Sequence, residues 1–149
     1  MDKPAHVLLV EDNRMDVELT LDAFHEAKLV NTIHVASNGQ DELDYLFGIH
    51  QYADRNAFPM PNLVLLDLKL PGIDGFEVLR QVKSTPILKR LPVVILTSSK
   101  EEGDRALSYD QGSNSYLVKP VSYEGFLGVV REIDGYWLSL NVAPPEREI

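Results

Sequence analysis

Four short apolar runs in this chain are each followed by residues that can do chemistry. Glu11 and Asp12 follow the first run, Asp67 follows a later one, and Thr97 and Lys119 follow two more. We predict that the runs are parallel strands, whose carboxyl ends lie along one edge of a sheet. These five side chains are therefore expected to converge on one site.

Acids, a lysine and a hydroxyl in one place favour phosphoryl transfer. Three carboxylates repel one another, and Mg²⁺ relieves this because it binds carboxylates, waters and phosphate oxygens. Lys119 would supply a mobile positive charge, and Thr97 a hydroxyl donor. A carboxylate can also be the nucleophile and become an acyl phosphate, and Asp67 on the middle strand is the natural candidate. Taken singly, each residue is equally well explained as an ordinary strand end.

The elements that position these residues alternate between strand and helix. Leu63 to Leu66 is an unbroken apolar run, typical of a strand buried on both faces, and Asp74 can cap the helix that follows. Five such pairs favour an α/β protein with helices on both faces of a parallel five-stranded sheet. The hypothesis is a three-layer, doubly wound (βα)5 flavodoxin-like fold with strand order 2-1-3-4-5. The predicted strands are 6–10, 32–36, 63–66, 92–96 and 115–118.

Length and composition set outer bounds. The chain has 149 residues, 44% of them hydrophobic, which predicts one domain over 1–149 with a core at about 5–140. Its net charge of −9 disfavours a nucleic-acid binder. It contains no cysteine, no signal-like segment and no apolar run that could span a bilayer, so a cytoplasmic protein without a membrane partner is expected.

Three segments are less regular. Residues 48–61 show no period and are predicted to be a long loop, or in part an extension of the helix before it. The helix predicted over 100–111 has a thin apolar face, with Gly103 inside it. The last helix carries a clear apolar stripe, and 141–149 is a tail. The stripe consists of Phe126, Val129, Val130, Ile133, Trp137 and Leu140.

Taken together, the motifs resemble the receiver domain of two-component response regulators. The long loop and the ending Ile133 to Leu138 further resemble the single-domain regulators that pair with bacterial phytochrome kinases. The matching motifs are Leu9-Val10-Glu11-Asp12-Asn13, Leu66 to Gly75, Leu96-Thr97-Ser98-Ser99 and Tyr116-Leu117-Val118-Lys119-Pro120.

The resemblance implies a phosphoacceptor and a metal site. Asp67 would take a phosphoryl group from a phosphohistidine on a sensor histidine kinase. Asp12, Asp67 and the backbone carbonyl of Lys69 would bind Mg²⁺, with Glu11 acting mostly through water.

The resemblance also implies a switch. Lys119 would contact the phosphoryl oxygens, while Thr97 would move in to hydrogen-bond them, joined by the amide of Ser98. Tyr116 would follow from an exposed to a buried position; the alternative is a half-buried packing residue. The family's lysine–proline bond is usually cis, so the same is expected for Lys119–Pro120.

The predicted output is protein contact. After Lys119 only a helix and a tail remain, which is too short for a DNA-binding or enzymatic domain. Apolar residues lie off the core face of the last helix, so we expect a homodimer through the last two helices and last strand, and an unidentified downstream protein. A monomer whose tail folds back is the alternative. The residues in question are Tyr123, Leu127, Tyr136, Leu138 and Val142.

Rival functions fit less well. An aspartyl-phosphate phosphohydrolase needs a second acid two residues after its nucleophile, where this chain has Lys69. A flavin carrier needs a glycine- and hydroxyl-rich phosphate loop in place of Glu11-Asp12-Asn13. We therefore do not expect a conventional enzyme. A phosphate sink for the kinase, and an interaction module that needs no phosphorylation, stay open. In the family, the positions of Lys69 and Ser99 tune the phosphoryl lifetime.

Overall fold

A five-stranded, fully parallel sheet forms the centre of the molecule, in the order β2-β1-β3-β4-β5. The structure, a computed structural model, describes residues 5–27 and 31–145, without the side chain of residue 31. The predicted strand order is confirmed. The strands are β1 (Ala5–Val10), β2 (Asn31–Ala36), β3 (Leu63–Leu66), β4 (Val93–Thr97) and β5 (Ser115–Val118).

Helices cover both faces of the sheet, which confirms the three-layer arrangement. One core cluster lies under α2 and α3, and a second lies under α1 and α5. Alternate residues of β1 and β3 enter opposite clusters, since side chains along a strand point to opposite faces in turn. The helices are α1 (Arg14–Glu26), α2 (Gly39–Phe47), α3 (Gly75–Ser84), α4 (Glu102–Asp110) and α5 (Tyr123–Gly135).

Asn13 and Asp74 start the helices that flank the site. Each side chain accepts a hydrogen bond from an amide three residues on, at 3.0 Å from Asp16 and 2.9 Å from Glu77. Gly75, the first residue of α3, lies against β3's end, where a Cβ atom would stand 2.7 Å from the carbonyl oxygen of Asp67. A side chain there would push α3 away from the end of the central strand.

The segment 48–61 is a loop that is fastened to the core. Its predicted extension of α2 is wrong, because Gly48 takes a left-handed φ of 66° and ends the helix. Arg55 donates to the carbonyl oxygens of Tyr45 and Leu46 at 2.7 and 2.9 Å, and to that of Phe58 at 2.9 Å. Two of these bonds fall on carbonyls in the last turn of α2, where the carbonyl of Tyr45 also accepts from the amide of the cap residue Gly48.

The end of the chain differs from the predicted single helix. α5 stops at Gly135, and a π-helical turn follows over Tyr136–Leu140. The change of pitch turns Leu138 toward the core and leaves Leu140 76% exposed, which reverses their predicted places. The part of the tail at 146–149, with residues 1–4 and 28–30 of the predicted domain, lies outside the described residues.

Candidate functional site

The ends of β1, β3, β4 and β5 bring the predicted residues to one edge of the sheet. Val10 is in register with Leu66, so the next residues, Glu11 and Asp67, lie side by side. The amide of Lys119 donates to the carbonyl of Thr97 at 2.7 Å and continues the ladder between β4 and β5. The convergence expected from parallel strands is therefore present.

Three carboxylates form a cluster that could hold a metal ion. One oxygen each from Glu11, Asp12 and Asp67 lies within 4.8 Å of the others. Glu11 is 3% exposed and Asp67 6%, whereas Asp12 faces solvent. Burial raises the pKa of Glu11 to about 7, against the lowering effect of its hydrogen bond to Lys119. A cation among these oxygens would offset their repulsion, and hard oxygen ligands of this kind suit Mg²⁺ or Mn²⁺.

Lys119 lies among three carboxylates. Its Nζ donates to Asp67 Oδ2 at 3.0 Å, to Asp16 Oδ2 at 2.8 Å, and to Glu11 Oε1. The side chain is only 8% exposed. Burial lowers the pKa of Lys119, but the hydrogen bonds to Asp16 and Glu11 outweigh it and leave the pKa above its usual value. The ammonium is thus a fixed positive charge at the Asp67 carboxylate.

Thr97 and Tyr116 belong to a second network, beside the acids. Thr97 is fully buried, and its Oγ1 accepts from the amide of Ser99 at 3.4 Å. Half-buried Tyr116 donates from its hydroxyl to the carbonyl of Ser99 at 3.0 Å. Ser99 Oγ in turn donates to Asp104 Oδ2 at 2.6 Å, which ties the connection after β4 to α4. Among the described residues, Thr97 makes no hydrogen bond to Asp67.

The comparison with known families decides the identity of this fold and site. The response regulator receiver domain family matches residues 7–131. The chain belongs to this family.

Two relatives match the chain over nearly its whole length. FilR2 of Methanothrix harundinacea, a probable methanogenesis regulatory protein, is 41% identical over 95% of this chain and 88% of its own length. Response regulator Rcp1 of Synechocystis sp. is 36% identical over 95% of this chain and 94% of its own length.

Solved structures give the same result. The phosphorylated cyanobacterial phytochrome response regulator RcpA matches with a TM-score of 0.88 and 36% identity, over 96% of this chain and all of its own. The Mn²⁺-bound form of Rcp1 matches with a TM-score of 0.84 and 35% identity, over 95% of this chain and all of its own. Both are similar to this receiver domain in fold as well as in sequence.

One residue of the receiver site was missed from the sequence. Asp16 lies in the first turn of α1, three residues after the cap Asn13. An acid at this position commonly folds back to the amide of the cap residue, but here it reaches across to Lys119. No signal in the sequence separates Asp16 from an ordinary acid in the first turn of a helix, because its partner lies 103 residues later in the chain.

One backbone prediction is wrong. No peptide bond in the described ranges is cis, so Lys119–Pro120 is trans. The trans form is ordinarily favoured before proline by about 0.5–1 kcal/mol, and the Lys119 side chain reaches Asp67 from it.

Two further residues of the predicted site lie beside Asp67 and Thr97 in the chain. Lys69 is exposed, and its backbone amide donates to Asp67 Oδ1 at 3.3 Å. Ser98 is exposed next to Thr97.

Within residues 5–27 and 31–145, no helix is both long and apolar enough to cross a membrane.

Proposed function

We propose that this receiver domain is a phosphoacceptor that takes a phosphoryl group onto Asp67 from a phosphohistidine of a sensor histidine kinase. The observation that carries the proposal is the setting of Asp67. Its Oδ2 is 3.0 Å from the Lys119 ammonium, and it shares a cluster with Glu11 and Asp12 at the sheet edge. The proposed domain spans 1–149, with its core at about 5–140.

The chemistry is a displacement at phosphorus. A carboxylate oxygen of Asp67 forms a bond to phosphorus as the bond to the imidazole nitrogen breaks, and the imidazole leaves with the electron pair. A carboxylate nucleophile has no proton to lose during the attack, so no base is needed. Lys119 faces the negative charge that develops on the phosphoryl oxygens.

The acidic cluster fits a divalent cation, and we propose Mg²⁺. Asp12, Asp67 and the backbone carbonyl of Lys69 would hold it, with Glu11 reached through water. A cation bound there neutralises charge on the phosphoryl group and the acids. Because Rcp1 has been solved with Mn²⁺, Mn²⁺ is the useful probe for this site.

Phosphorylation is proposed to act on the second network. It adds about −1.5 to −2 charges and three acceptor oxygens at Asp67. Thr97 and the amide of Ser98 can donate to those oxygens once Thr97 gives up its contact with Ser99. Tyr116 would then move inward, and the connection before α4 would rearrange.

The proposed partners are a phytochrome-type histidine kinase and a second copy of the chain. RcpA supports this kinase type because it is a phytochrome response regulator, whereas FilR2 is named for methanogenesis. Apolar side chains are exposed on α4, β5 and the π-helical turn, which supports a homodimer through this face as the route to a downstream protein. These side chains are Leu107, Tyr109, Val118, Tyr136 and Leu140. Sedimentation of the protein as a monomer at all concentrations, with and without phosphorylation, would refute the dimer.

Intact mass spectrometry tests the phosphoacceptor function. After incubation with Mg²⁺ and acetyl phosphate, we expect the mass to increase by one phosphoryl group. The gain should be lost with a chelator or in Asp67→Asn, but kept in Asp110→Asn, a matched change on the exposed surface of α4. No gain from acetyl phosphate or from phosphorylated histidine kinases would contradict the proposal and favour an interaction module.

A further inference from the structure

Asp16 is the one carboxylate around Lys119 that lies outside the acidic cluster. Lys119 has three carboxylate partners, and Glu11 and Asp67 are both members of the cluster while Asp16 is not. The contact from Nζ to Asp16 Oδ2 is 2.8 Å, between a side chain that is 8% exposed and one that is 29% exposed. The ion pair is therefore partly shielded from water, mainly on the lysine side, which strengthens it relative to a fully exposed pair.

The backbone of Asp16 is fixed on both sides. Its amide donates to Asn13 Oδ1 at 3.0 Å, and its carbonyl accepts from the hydroxyl of buried Thr20 at 2.7 Å. The carboxylate is thus presented from a rigid first turn of α1. It reaches Lys119, which is 103 residues later in the chain and directly follows β5.

A cation in the acidic cluster would weaken the ion pairs of Lys119 with Glu11 and Asp67. Oxygens of Glu11 and Asp67 that bind the cation are less available to the ammonium, and the two positive charges repel each other. Without another anion nearby, the lysine would turn toward solvent. Asp16 is placed to keep it beside Asp67.

We infer that Asp16 is a positioning residue for phosphoryl transfer, holding the Lys119 ammonium at the site when a divalent cation occupies the acidic cluster. This inference rests on the proposed function. Asp16 touches neither the phosphoryl group nor the cation in this role. Its whole effect passes through Lys119.

The first test compares variants of Asp16 in the rate of labelling by acetyl phosphate with Mg²⁺. Asp16→Ala removes the charge and the acceptor, and should lower the second-order rate constant of labelling by about tenfold or more, as expected for loss of a charge-assisted hydrogen bond. Asp16→Asn keeps an acceptor oxygen and should lose less, while Asp16→Glu should recover part of the rate. Asp22→Asn, the same change of charge on the exposed part of α1, is the matched control and should behave as wild type.

The second test asks whether the effect passes through Lys119. Lys119→Met should itself be slow, and Asp16→Ala/Lys119→Met should be no slower than Lys119→Met alone. Long incubations read by intact mass make these slow rates measurable. Urea unfolding of each variant checks that the fold is kept, because a merely structural ion pair would lower the free energy of unfolding without lowering the labelling rate of the folded protein.

The outcomes separate the inference from the function on which it rests. If wild type is not labelled, the phosphoacceptor function itself fails. If wild type is labelled and the Asp16 variants match it, the positioning role is wrong. A further loss of rate from Asp16→Ala in the Lys119→Met background would also overturn it, since Asp16 would then act independently of the lysine.

Discussion

The hydroxyl of Tyr116 donates a 3.0 Å hydrogen bond to the backbone carbonyl of Ser99. The amide of Ser99 donates to Thr97 Oγ1 at 3.4 Å. Ser99 therefore joins the two residues proposed as the switch. If Thr97 moved toward a phosphoryl group on Asp67, its bond with the Ser99 amide would break. The bond from Tyr116 to the Ser99 carbonyl could then change as well.

Replacing Thr97 by valine should uncouple Tyr116 from the site. Valine has the shape of threonine but no hydroxyl to offer the phosphoryl oxygens, so phosphorylation would no longer pull this position inward. With fluorotyrosine in the protein, the ¹⁹F signal of Tyr116 should shift on phosphorylation in wild type and not in Thr97→Val. Tyr116→Phe assigns the signal.

Thr85→Val is the matched control for this experiment. Its hydroxyl donates to Gln81 at the end of α3 and has no contact with Ser99. It should leave the Tyr116 shift intact. A normal shift in Thr97→Val would mean that Tyr116 responds by another route.

Breaking the bond between Ser99 and Asp104 should loosen the connection before α4. This bond, 2.6 Å long, joins a buried hydroxyl to a half-buried carboxylate. Its loss in Asp104→Ala should raise amide hydrogen exchange over residues 99–104 by about tenfold, since bonds to charged groups contribute about 1.5–3 kcal/mol. Asp110→Ala, in the last turn of α4, is the control. Equal amide exchange over residues 99–104 in the two variants would mean that the bond between Ser99 and Asp104 does not stabilise this connection.

Glu42 should make the protein less stable as the pH rises. It is fully buried, its Oε1 has no hydrogen-bond partner among the described residues, and burial raises its pKa to about 8 from an ordinary 4.5. The folded state therefore binds the extra proton between these values. The loss of stability caused by ionising Glu42 is absent below about pH 4.5, grows between pH 4.5 and pH 8, and is complete above about pH 8.

Glu42→Gln should remove this dependence on pH. Relative to wild type, its free energy of unfolding in urea should rise between pH 5 and pH 8.5, by about 1.4 kcal/mol for each unit of pKa difference. Exposed Glu124→Gln is the control and should stay within about 0.5 kcal/mol of wild type. A constant difference between Glu42→Gln and wild type over this range would show that Glu42 does not titrate there.

Arg55 should be a main source of order in the loop over 48–61. Its guanidinium makes three hydrogen bonds to carbonyl oxygens, a fork that lysine cannot reproduce. Arg55→Lys should lower the free energy of unfolding by about 1–3 kcal/mol. Arg14→Lys, in an exposed pair with Glu18, should cost little, and a similar small cost at Arg55 would refute the anchoring role.

The sheet and the convergence of its chemistry follow from sequence because they rest on a simple rule. Apolar runs followed by polar residues specify strand ends, and parallel strands place those ends on one edge. Glu11, Asp67, Thr97 and Lys119 were placed in this way.

What sequence did not predict depends on side chains that meet from distant parts of the chain. The pairing of Asp16 with Lys119 joins residues 103 positions apart, and nothing local distinguishes Asp16 from an ordinary acid in a first helical turn. The π-helical turn that moves Leu138 inward depends on packing at the end of α5. The trans bond at Lys119–Pro120 was missed because the expectation came from the family resemblance alone.

The site of phosphorylation tests the central claim most directly. After incubation with Mg²⁺ and acetyl phosphate, borohydride reduction converts an aspartyl phosphate into homoserine, which peptide mass spectrometry can locate. We predict homoserine at position 67 alone, and none when the cation is chelated. Homoserine at another acid such as Asp12, or a phosphoryl group that resists reduction because it lies on a hydroxyl, would contradict the assignment of Asp67.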